Sequence, residues 1–75
     1  MNNNRRKRLR EIEEALDKCW SLLSDIFDEE TECLDNIPEN LQDTDRCEKM
    51  RMYADSIEDA CGFVEEALSS VREAL

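Results

Sequence analysis

Four cysteines stand at residues 19, 33, 47 and 61, fourteen residues apart at every step. Thiols at a regular spacing can pair as disulfides, ligate a soft metal ion, or fill a core as small apolar side chains. A second cluster able to do chemistry is Arg5, Arg6, Lys7, Arg8 and Arg10, since guanidinium groups match phosphate and carboxylate in charge and shape. All twenty carboxylates follow these bases, in runs such as Glu13-Glu14, Asp28-Glu29-Glu30 and Glu65-Glu66. The chain has no His, and Gly62 is its only Gly. Nucleophilic triads and glycine-rich phosphate loops are therefore absent, and the expectation is a protein that is not an enzyme and holds no cofactor.

The charge divides the chain in two. Residues 1–10 carry +5 with no acid, and residues 11–75 carry −15. An acidic body repels nucleic acid and anionic membranes at long range, while a basic arm attracts phosphate or acidic protein. The arm is no secretory signal, because Glu11-Ile12-Glu13-Glu14 stands where an apolar stretch is required. No run is long enough to span a membrane. The expected location is cytoplasmic, where thiols stay reduced.

Two long helices are needed to position these groups. From Leu9 the apolar residues step by three and four through Ile12, Leu16, Cys19, Leu23 and Ile26, then Glu30, Cys33 and Ile37, a heptad seam with one polar break. The stretch Asn36-Ile37-Pro38-Glu39-Asn40 ends that helix: Pro38 disfavours helical backbone before it, Asn tolerates a left-handed cap, and Pro38 suits the first position of a short helical turn. Asp43-Thr44-Asp45 offers N-caps, with Glu48 completing a capping box from Asp45. A second seam runs through Cys47, Met50, Ala54, Ile57, Cys61, Val64, Leu68, Val71 and Leu75. The predicted fold is all-α. Residues 1–8 form a basic, partly disordered arm, and residues 9–75 form one antiparallel helical hairpin, with helices over about 6–35 and 44–75 and a turn over about 36–43.

Folding about Asn40, with facing residue numbers summing to 80, places seam against seam in eight layers. Two of these pair cysteines, Cys19 with Cys61 and Cys33 with Cys47. The pairs are either two staples or facing free thiols that fill core layers. They lie about 21 Å apart along the helix at 1.5 Å per residue, too far to share one tetrahedral metal ion. Glu30 falls in the seam beside Met50, where it either snorkels or meets a polar ligand.

In this register Trp20, Phe27 and Leu34 form an uncovered stripe, whose nearest neighbours across the hairpin are Glu58 and Arg51. On the other flank Leu22 and Ala15 meet a stripe of Ala60, Ala67 and Ala74. Three large side chains exceed what a monomer usually exposes. They predict a homodimer, or a higher homo-oligomer, that closes a four-helix bundle, the alternative being a foreign protein partner in the same place.

With the turn Asn36-Ile37-Pro38-Glu39-Asn40-Leu41-Gln42, followed by Arg46, Glu48 and Met50, and with Leu-Arg-Glu-Ile-Glu-Glu-Ala-Leu at 9–16 and Glu-Glu-Ala-Leu at 65–68, the chain resembles small acidic helical proteins of phages and prophages of Gram-positive bacteria. The four-cysteine pattern is not a mark of those proteins. The resemblance implies a viral or mobile-element setting, in which small non-enzymatic proteins inhibit host factors. Three functions fit: an inhibitor or adaptor that binds a host protein through its acidic surface; an oligomeric sponge that holds an anionic signalling nucleotide on Arg5, Arg6, Lys7, Arg8 and Arg10; or an accessory protein whose arm contacts nucleic acid.

Overall fold

The computed structural model describes residues 1–75, in the order α1 (Asn3–Asp35), a 3₁₀ turn (Glu39–Leu41) and α2 (Asp45–Ala74), with no strand. The two helices lie antiparallel as a hairpin, a rod of 59 × 14 × 13 Å. Its first residues are not a loose arm. Asn2 caps α1, its Oδ1 accepting the Arg5 N–H at 2.8 Å. One satisfied orphan donor and a run of good helix formers extend α1 back to Asn3, through most of the basic arm predicted over 1–8.

The turn is tighter than predicted. Asn36 closes α1 in a right-handed conformation (φ −89°, ψ −2°), and no residue in the chain has positive φ. The left-handed cap is replaced by a narrowing of the last turn, in which Asn36 N–H donates to Glu32 O at 3.1 Å and Ile37 N–H to Leu34 O at 3.2 Å. Pro38 (ψ 142°) stands one residue before the 3₁₀ turn instead of opening it, and its carbonyl accepts the Leu41 N–H at 2.9 Å. Thr44 caps α2, its Oγ1 accepting the Cys47 N–H at 3.3 Å. Because the cap is Thr44 and not Asp45, Glu48 falls one position too late for a capping box. It still lies in the first turn with Asp45, where acids suit the helix dipole.

α2 buries the seam its spacing predicts, and its Cys47, Ala54 and Leu68 are the chain's three buried residues. α1 does not. Its half-buried side chains are Leu9, Glu13, Leu16, Trp20, Leu23, Phe27, Glu30 and Leu34, continued past its end by Ile37 and flanked by Ser24 and Thr31. This row also steps by three and four, but Glu13, Trp20, Phe27 and Leu34 replace Ile12, Cys19, Ile26 and Cys33. Burial of two aromatics and a leucine outweighs burial of two isoleucines and two cysteines, because each aromatic removes far more apolar area from water.

The register moves with the rotation. Trp20 Nε1–H donates to Glu65 Oε1 at 2.8 Å, and Arg72 Nε donates to Glu13 Oε2 at 2.9 Å. The residue numbers of each pair sum to 85, not to the predicted 80. The neighbouring register of 84 sets seam level with seam throughout, with Leu16 opposite Leu68, Trp20 opposite Val64, Leu23 opposite Cys61, Phe27 opposite Ile57 and Leu34 opposite Met50. Glu30 stays in the seam, half-buried, level with Ala54. Trp20 thus meets Glu65, and the stripe assigned to a second hairpin closes this one.

Candidate functional site

The altered register separates the cysteines. All four are free: Cys19 and Cys33 are exposed on the outer side of α1, Cys61 is half-buried and Cys47 is buried. The structure therefore does not bring Cys19 to Cys61 or Cys33 to Cys47 as facing pairs. Cys47 has a local role instead. Its Sγ lies 3.1 Å from Leu41 O, the carbonyl that also accepts the Thr44 hydroxyl at 3.0 Å and the Thr44 N–H at 3.4 Å. Three donors on one carbonyl fasten the turn to the start of α2.

Beside that carbonyl is an open apolar cleft of about 460 Å³ at the turn end of the rod, between Ile37, Pro38, Leu41 and Met50. The sequence reading missed it, although apolar residues on both sides of Pro38 were its signal. A second shallow cleft, more polar, lies between Asp17, Trp20, Glu65 and Arg72. No group of His, Cys, Asp or Glu is arranged to hold a metal ion.

The five bases of the N-terminal segment are exposed around the first turns of α1. Arg5 and Arg8, three residues apart and so on one side of the helix, line a small open cleft with Met1, Leu9 and Ile12. Arg6 and Lys7, four and three residues before Arg10, share another side with it. The segment thus presents positive charge on two sides, and a single chain does not converge all five on one ligand.

The acidic body is the larger feature. No charged side chain is buried, and Glu13 with Arg72 is the one ion pair among twenty carboxylates. Nine of the twenty acids crowd the turn end between Asp28 and Glu48, where Arg46 is the only base. The rod is positive near its open end and strongly negative at its turn end. Of the other residues assigned to an interface, Leu22 is exposed, Ala60 and Ala67 are half-buried beside the α2 seam, and Ala74 is exposed at the end of α2.

Fold and surface together define an acidic α-helical hairpin with a basic start. No protein-family model, characterised protein or solved structure matches the chain. No helix is long and apolar enough to cross a membrane.

Proposed function

We propose that this is a non-enzymatic interaction protein that occupies a basic, nucleic-acid-binding surface of a protein partner and so inhibits or redirects it. The observation that carries this reading is the uncompensated charge: twenty carboxylates over residues 11–75, on a rod only 13–14 Å thick, with one of them ion-paired. Carboxylates at such density present a partner with the regular negative charge it meets on a phosphate backbone, and a two-helix rod holds them in fixed positions without loops to order. Charge of this kind supplies encounter rate and selectivity more than affinity. The proposed partner is a protein of a bacterial host's cytosol, met during phage infection or prophage carriage, in keeping with the resemblance of the sequence to phage and prophage proteins.

Recovery of the tagged chain from such a host tests this. A co-purifying protein whose binding competes with duplex DNA and weakens steeply with salt supports the reading. Tight duplex binding by the chain itself replaces it with the nucleic-acid role. A second reading draws on Arg5 and Arg8, which share one cleft: several copies converge them on an anionic nucleotide, and native mass spectrometry of the recovered protein then shows that ligand and no host protein.

A further inference from the structure

The rotation of α1 that buries Trp20 and Phe27 exposes a different row, and we propose that a second copy of this chain covers it, with the two α1 helices antiparallel about a two-fold axis. The row is Ile12, Ala15, Cys19, Leu22, Ile26 and Cys33, stepping by three and four with Glu29 as its polar member. All six are exposed, Ile12 at 47%, Leu22 at 53% and Ile26 at 44%. They lie on the flank of the side of α1 that α2 covers. The spacing is that of a second heptad seam on a helix whose first seam is already used.

Charge identifies the occupant and its direction. Residues 5–10 carry five bases and no acid; residues 28–35 of the same helix carry Asp28, Glu29, Glu30, Glu32 and Asp35 and no base. The apolar row starts just after the basic block and ends inside the acidic one, at Cys33. Antiparallel pairing of α1 with its copy brings the base-rich start of each helix toward the acid-rich end of the other, Arg6 level with Asp35 and Leu9 with Glu32, whereas parallel pairing sets like on like. One helix thus holds both halves of a complementary surface, which is the condition for an isologous two-fold contact. A register with residue numbers summing to 41 layers Cys19 against the partner copy's Leu22 and Ala15 against its Ile26, and brings Arg8 level with its Cys33, among its acids. This dimer goes beyond the acidic-surface reading and does not depend on it.

Sedimentation equilibrium and oxidative crosslinking test it together. The native chain should sediment at twice 8.8 kDa. Leu22→Lys, at an exposed position, should leave helicity intact and weaken the dimer about tenfold or more. Leu22→Cys should crosslink on mild oxidation through Cys19, a bond that peptide mass mapping locates and that Cys19→Ser abolishes. A monomeric native chain, a dimer indifferent to Leu22→Lys, or bonds between two Cys33 side chains, the signature of parallel pairing, would each overturn the proposal. So would a monomer that associates only with a foreign protein through this row.

Discussion

At the scale of single residues, Trp20 decides the most. Its ring lies in the seam between the helices while its indole N–H reaches out to Glu65 Oε1, so one side chain supplies apolar area and also fixes the register of α2. The hydrogen bond is at the exposed rim, where water competes, and its net contribution is modest. Trp20→Phe keeps most of the ring area and loses the donor. The expected loss is about 0.5–1.5 kcal/mol in urea unfolding. Glu65→Gln leaves an acceptor in place and should cost less than Trp20→Phe. Equal losses would tie the effect to the negative charge of the acceptor. The pair Glu13 and Arg72 is a weaker register mark, because an exposed ion pair contributes about 0–1 kcal/mol.

At the scale of elements, the hairpin, the position of its turn and the buried face of α2 are legible in the residues alone, because α2 carries one unbroken apolar row. α1 carries more than one. The row through Ile12, Cys19, Ile26 and Cys33 has no acid but Glu30; the row through Trp20, Phe27 and Leu34 adds Glu13. Counting apolar positions favours the first row, while area favours the second, and area decides what folds. The acid that makes the second row look wrong is placed near the open end, where Arg72 meets it. The candidate site was legible to a similar degree: the charge division is plain in composition, but which thiols meet depends on the register and was lost with it. Gly62 gives an element-scale prediction. It sits inside α2 without positive φ, and a Cβ built there meets nothing within 4 Å. Gly62→Ala should therefore stabilise the hairpin by about 0.5–1 kcal/mol, read as a higher urea midpoint at unchanged slope. A lower midpoint would mean that the close approach of another helix uses this glycine.

At the scale of the whole molecule, the protein is a rod with almost no interior. Its radius of gyration is 17.2 Å, against about 11 Å for a compact domain of this length, and three of its 75 residues are buried. Little apolar area is available to offset the conformational entropy lost in ordering two long helices, and the unscreened acids subtract from what there is. Two external variables then act on thermal stability. The Debye length falls from about 30 Å at 0.01 M salt to about 3 Å at 1 M, that is, from more than the thickness of the rod to much less, so the melting midpoint should rise across that range. Chain concentration acts separately. If melting couples to separation of two hairpins, a hundredfold increase in concentration adds about 2.7 kcal/mol to the stability of the pair and should raise the midpoint by roughly 5–10 °C. A midpoint that responds to salt and not to concentration would show a hairpin that folds and melts alone. A response to both, abolished for concentration alone by Leu22→Lys, would show that the row left open on α1 completes the fold.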